Sequence, residues 1–250
     1  MRTSTLVAAV LVAALAAGQV HGAMITWNTP QPLSTTAGAD DLIGGGTIIH
    51  ALNFGTDATV YNVTNSTETI TFTQDNTSFP ANSTTNYYTV GNQGTGLTTG
   101  DADLDAMMDG HGYKGGGGDL GTHTFSLGGL TVGTTYLVQL ICAGDTRSCC
   151  DHRSYVCDDG DDLTADWSLP IGRDPRDPHN EMAIDANFVV GTFTADDVTQ
   201  KFRVSSDPTA GSGSDNDPGL SVMLVRVVPE PATLALLGLG GLGLFLRRRK

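Results

Sequence analysis

The sequence predicts an all-β body arranged as a two-sheet β-sandwich, and three observations carry that expectation. Short apolar or alternating runs bounded by turn-forming residues recur at 47–54, 59–63, 68–72, 122–127, 135–142, 188–194, 200–204 and 220–227, a number and irregular spacing that suit strands of a sandwich rather than a repeat array. The acid of the central region is nearly all Asp, with Glu68 and Glu181 its only glutamates. Short carboxylates among many Gly, Asn and Thr favour turns between strands over helices. Only 103–109 shows helical spacing, with Leu104, Met107 and Met108 on one side, which is one or two turns.

The ends of the chain are of another kind. Met1 and Arg2 precede an uninterrupted small and apolar run over 6–17, the order of a charged n-region and an h-region. That run is too short for a stable bilayer span. It reads as an N-terminal signal helix, with cleavage by signal peptidase expected after Gly22, where Val20 and Gly22 supply the required side chains. At the other end, Pro229, Glu230 and Pro231 are followed by fourteen uncharged residues, 233–246, and then by Arg247, Arg248, Arg249 and Lys250. This hydrophobic helix is marginal for a span of ~20 residues, and Gly238, Gly240, Gly241 and Gly243 weaken it further. The terminal basic cluster would stay on the cytoplasmic side. The expected organisation is a signal peptide over 1–22, a β-sandwich domain over 23–228 and a sorting tail over 229–250.

The order Pro229-Glu230-Pro231, apolar segment and arginine cluster resembles the PEP-CTERM protein-sorting tail, over about the last 22 residues. The resemblance implies recognition by an exosortase-type membrane protease and a Gram-negative envelope. It also implies transient insertion in the inner membrane, followed by residence at the cell surface or in an extracellular matrix of exopolysaccharide. Leu130-Thr-Val-Gly133-Thr-Thr-Tyr136, at the mouth of the strand 135–142, resembles the tyrosine corner of β-sandwiches, in which the phenol bonds back to the backbone. The block 129–153, with Phe193, Thr194, Ala195, Asp196 and a last strand reaching Arg226, resembles an exported β-sandwich domain that often precedes such tails. That likeness implies a jelly-roll-like form and no established catalytic residues.

Charge bounds the partners. Setting aside Arg2, the four basic residues 247–250 and Glu230 leaves 8 basic and 26 acidic side chains, a formal charge of −18. Phosphate binding needs the opposite sign, so nucleic acid is not an expected partner.

Cys142, Cys149, Cys150 and Cys157 fall within sixteen residues, and an exported location favours disulfides. Pairing the adjacent Cys149 and Cys150 would make a strained ring, so the expectation is Cys142 with one of them and Cys157 with the other. A zinc site that includes His152 is the weaker alternative, because no C-x-x-C pair is present. The same loop holds Asp158, Asp159, Asp161 and Asp162. It reads first as a solvated acidic loop and second as a structural Ca²⁺ site, since hard cations take oxygen ligands in such loops. Asp101, Asp103, Asp105 and Asp109 imitate a calcium loop, but Ala106 and Gly112 stand where glycine and an acid are required. Carboxylates at a helix N-terminus explain Asp101 and Asp103 more simply.

Arg147, Arg153 and Trp167 are the candidate ligand-binding side chains, the arginines because cations are scarce and the indole because it can stack on a sugar ring. Ion pairs with neighbouring aspartates are the plainer role for the arginines. Trp27, Tyr87, Tyr88, Tyr113 and Tyr155 are further aromatic candidates, for which packing is the first reading. Asn62, Asn65, Asn76 and Asn82 open N-x-Ser/Thr triplets and mark an exposed stretch. No nucleophile elbow, phosphate loop or H-E-x-x-H helix occurs, and His50, His111, His123, His152 and His179 stand singly. The expected function is that of an exported, non-catalytic surface or matrix protein with weak carbohydrate contacts. A secreted polysaccharide-active hydrolase or lyase with a divergent site is the alternative.

Overall fold

A computed structural model of the chain describes residues 23–55, 59–74, 87–90, 98–114, 122–142, 155–157, 169–170, 186–206 and 219–228. The strands in chain order are β1 (Thr26–Trp27), β2 (Gln31–Pro32), β3 (Ile48–Asn53), β4 (Tyr61–Thr64), β5 (Thr69–Gln74), β6 (Tyr87–Val90), β7 (His111–Lys114), β8 (Thr122–Leu127), β9 (Thr135–Cys142), β10 (Tyr155–Cys157), β11 (Leu169–Pro170), β12 (Asn187–Thr194), β13 (Gln200–Ser206), β14 (Gly219–Leu220) and β15 (Val222–Val227). One short helix, α1 (Ala102–Met108), and a 3₁₀ turn at Gly38–Asp41 complete the elements. The protein is mostly β, as two sheets in a sandwich-like arrangement. The signal helix and the tail helix expected from the sequence lie outside the described residues.

The main sheet runs β1-β12-β9-β15-β3-β5-β4, with β2 also on β12. A second sheet runs β11-β10-β13-β8 and a third, smaller one β14-β7-β6. All eight apolar runs of the sequence are strands of these sheets. The central strands β9 and β15 are buried on both faces, which is why they read as continuous apolar runs, whereas β4 and β5 alternate.

The main sheet therefore carries two cores. Between the sheets, Ile25, Trp27, Tyr136, Val138, Leu140, Val189, Phe193, Met223 and Val225 meet Phe125, Leu127, Phe202 and Val204. Aromatic rings dominate there: Phe125 stacks on Phe202 at 5.0 Å, and Trp27 meets Phe202 edge-on at 5.9 Å. Trp27 is thus a core side chain, not a sugar-stacking one. Gly191 on β12 makes room for it, because a Cβ there would stand 2.5 Å from Ile25 and 2.6 Å from the Trp27 ring.

On the opposite face, Ile141, Val222 and Leu224 pack with Tyr61, Val63, Ile70 and Phe72 of the β4–β5 hairpin and with Leu104, Met107 and Met108 of α1. The three apolar positions that gave 103–109 its helical spacing are the three that α1 buries.

Tyr136 closes the corner expected of it. Its hydroxyl accepts the Thr131 N–H at 2.8 Å, the ring stacks on Phe193 at 5.5 Å, and Gly133 takes φ +82° in the intervening turn.

Candidate functional site

Among the described residues, a cavity of about 250 Å³ lies between the two sheets. β3 contributes His50, Leu52 and, just past its end, Phe54; β8 and its exit contribute Phe125, Ser126, Leu127 and Gly128; Met223 comes from β15. Alternation places His50 and Leu52 on the same face of β3, and Phe54 continues the series. β8 is the last described strand of its sheet, so the cavity lies at an edge of the described sandwich.

The His50 Nε2 stands 2.9 Å from the Gly128 carbonyl oxygen. A carbonyl can only accept, so Nε2 carries the proton and donates it. The ring thereby ties β3 to the exit of β8. Among the described residues the remaining lining of the cavity is apolar apart from Ser126 and includes no carboxylate. Its volume is below the ~300–1,000 Å³ of pockets that hold drug-sized ligands. It can seat one small apolar group or the edge of a ring, with one imidazole and one hydroxyl residue in its lining.

The opposite face of the main sheet has a polar system of its own. Arg226 on β15 is fully buried, its Nη2 2.9 Å from Glu68 Oε1 and its Nη1 3.2 Å from Glu68 Oε2. Nη1 also donates to the Gly45 and Gly46 carbonyls at 3.3 Å, while Nε has no hydrogen-bond partner among the described residues. Gln139, equally buried on β9, accepts the Ile43 N–H at 3.0 Å and donates to the Asp41 carbonyl at 2.8 Å. These two side chains fasten the irregular 41–46 segment over the sheet.

The aspartates beside α1 are structural. Asp101 caps the helix, one oxygen accepting the Asp103 and Leu104 N–H groups at 3.0 Å. Its other oxygen accepts the Thr64 N–H at 3.3 Å, Asp103 accepts that of Asn62 at 2.7 Å, and Asp40 that of Ser66 at 2.7 Å. Residues 62 and 64 are alternate positions along the outer edge of β4, so Asp101 and Asp103 cover an edge otherwise open to another strand, while Asp40 holds the turn that follows β4 at Ser66. Asn65 spends its side-chain oxygen on the Thr67 and Glu68 N–H groups, which makes its triplet a turn device here.

Among the described residues, no group of three or more His, Cys, Asp or Glu is placed to hold a metal ion. Cys142 ends β9, and burial pushes its thiol pKa well up. Cys149, Cys150, Asp158, Asp159, Asp161, Asp162, Arg147, Arg153 and Trp167 lie outside the described residues, as does the side chain of Cys157. The disulfide, calcium and ligand-binding expectations therefore fall outside the described structure. The cavity residues escaped the sequence reading because Leu52, Phe54 and Phe125 are ordinary strand residues until two distant strands meet. Arg226 had a visible signal, a lone cation inside the apolar run 222–227.

The fold and this site define a class, a two-sheet β domain whose last central strand leads directly into a C-terminal apolar and basic tail. Residues 227–250 match the PEP-CTERM protein-sorting motif, so this is an exported protein sorted by an exosortase, anchored in the membrane by its tail and then processed. Pro229, Glu230, Pro231, Arg247, Arg248 and Arg249 lie within the matched span. No curated protein matches the chain. Among solved structures, the extracellular domain of ANXUR1 from Arabidopsis thaliana is similar at a TM-score of 0.48 and 12% identity, over 74% of this chain and 51% of that one. The chain thus spans about half the length of that structure. Among the described residues, no helix is long and apolar enough to cross a membrane.

Proposed function

We propose that the body of this protein, residues 23–228, works at the cell surface or in the extracellular matrix as a non-catalytic component associated with exopolysaccharide, making weak carbohydrate contacts. The observation that carries this reading is the sorting motif at 227–250 directly behind an acidic β domain. Two features support it. The described residues that line the cavity are mostly apolar and include no carboxylate, whereas glycoside hydrolysis ordinarily needs a pair of carboxyl groups about 5–9 Å apart. The charge of −18 outside the termini suits neutral glycans, or anionic ones bridged by a hard cation. Ca²⁺ held by Asp158, Asp159, Asp161 and Asp162 belongs to the same proposal, and so do the two disulfides of the neighbouring loop and glycan contacts from Arg147, Arg153 and Trp167.

The test joins a glycan array to a reducing-end release assay on the protein purified from culture medium. Binding without release of new reducing ends is the expected result. Turnover would instead assign the body to the polysaccharide-active enzymes. Adding Ca²⁺ at about 100 times its Kd should stabilise the fold by about 2.7 kcal/mol in a thermal melt, and an unchanged melting temperature would remove the cation from the proposal.

A further inference from the structure

Both apolar terminal segments leave the body from the same pole. The register of β1 on β12 pairs Thr26 with Thr192 and Trp27 with Gly191, which puts Met24 beside Thr194. Thr194 pairs with Thr135 of β9, and the Val228 N–H donates to the Thr135 carbonyl at 2.8 Å. Met24, Thr194, Thr135 and Val228 thus form one row across β1-β12-β9-β15. At a strand spacing of about 4.8 Å, its two ends are roughly 14 Å apart. The Ala23 N–H is held by Asp196 Oδ1 at 3.1 Å, so the chain is ordered up to that row on both sides.

The same pole carries three of the four exposed large hydrophobic side chains among the described residues: Met24 at 58%, Val132 at 58% and Val198 at 59%. Val132 and Val198 sit on two interlocked loops, joined by Leu130 N–H to the Val198 carbonyl at 3.1 Å and Gly133 N–H to the Ala195 carbonyl at 2.7 Å. Chain length fixes where this pole must be. The last hydrogen-bonded residue among the described ones, Val228, is five positions from Thr233, where the apolar run begins. Five residues span at most about 18 Å when fully extended. The polar layer on one side of a bilayer is roughly 5–7 Å thick, so a tail inserted in the membrane holds the pole within reach of it.

We propose that this pole, with Met24, Val132 and Val198 at its tip, rests on the lipid headgroup and upper acyl layer while the tail is inserted. The inference rests on the reading of 229–250 as a membrane-inserted sorting tail. Lipid is the partner because the exposed groups are aliphatic. Charge does not recruit it, since the ionisable groups named on these loops, Asp196 and Asp197, are acids that would not attract an anionic headgroup, and they accept the Ala23 and Val198 N–H groups. Three side chains are too few to bind a membrane unaided, but a tether makes the contact intramolecular and raises its effective concentration.

The experiment places the full chain in phosphatidylcholine vesicles whose lipids are brominated high on the acyl chain. Tryptophan reporters are introduced by Val132→Trp, Val198→Trp and, as the reference remote from the pole, Val60→Trp. Val60 is exposed and precedes β4, on the side of the hairpin away from the Thr47–Val227 end of β3. The expected result is a drop of about twofold or more in the added emission at 132 and 198, as for groups seated at the headgroup–acyl boundary, with none at 60. Co-flotation with vesicles but equal emission at all three sites would overturn the lipid contact and leave the sorting reading standing. Failure to co-float would overturn both. Quenching at 132 and 198 only after an exosortase is co-reconstituted would assign the pole to that protein and overturn the lipid contact.

Discussion

The two faces of the main sheet are built on different principles. Between the sheets the contacts are apolar and aromatic, regular strand against regular strand, with glycine where two elements come closest. On the other face a hairpin, one short helix and an irregular segment form the cover, and polar groups hold it in place: Arg226 to Glu68 and two carbonyls, Gln139 to the 41–43 backbone, Asp101 and Asp103 to the edge of β4, and Asp40 to the turn of the β4–β5 hairpin. Irregular backbone has no ladder of its own to satisfy its N–H and C=O groups. Laid over an apolar sheet, it needs side chains that reach out of that sheet, and those side chains must be buried and paired. The lesson is that a regular cover needs shape complementarity, whereas an irregular cover needs fasteners.

The sharpest break in this contrast is Arg226→Ala. Removing one partner of a buried pair typically costs about 3–5 kcal/mol, and the lower end, about 3 kcal/mol, is expected because the Glu68 side chain retains 30% exposure. Urea unfolding measures the loss. Arg226→Met combined with Glu68→Gln should restore most of it if the cost comes from a stranded charge rather than from lost volume. Next in size is Gly191→Ala on the other face, where a methyl would overlap Ile25 and Trp27. A loss of about 1–3 kcal/mol is expected from overpacking, together with altered near-UV dichroism as the Trp27 ring moves against Phe202. A fully stable Gly191→Ala protein would mean that the apolar face tolerates misfit as readily as the fastened one. The smallest effect is Asp101→Ala, a lost helix cap worth about 1 kcal/mol. It should appear as faster amide exchange in α1 and at Thr64, with the strands between the sheets unchanged.

Much of the regular architecture was legible in the sequence, because buried strands impose a local pattern. The runs 122–127 and 135–142 are β8 and β9 to the residue, and Leu104, Met107 and Met108 marked α1. The corner at Tyr136 was readable for the same reason, since its turn glycine and tyrosine are close in the chain. β1, β2, β6, β7, β10 and β11 were not foreseen; they are two to four residues long, too short to show a period. The Arg226–Glu68 pair joins positions 158 residues apart, and nothing local to either announces the other. The cavity is hidden similarly, being a gap between β3 and β8 rather than a property of either.

The position of β15 has a consequence for how such a protein is made. It lies between β9 and β3, yet it is the last strand of the body to be synthesised. The sheet cannot zip up from its N-terminal end, because a slot in its middle stays vacant until residues 222–227 arrive to pair with both neighbours. A polypeptide threaded head first through a translocation pore would therefore stay loose, with most of its length already outside, until almost the whole body has passed. Late delivery of a keystone strand is a timer that keeps the chain threadable for as long as it is being threaded.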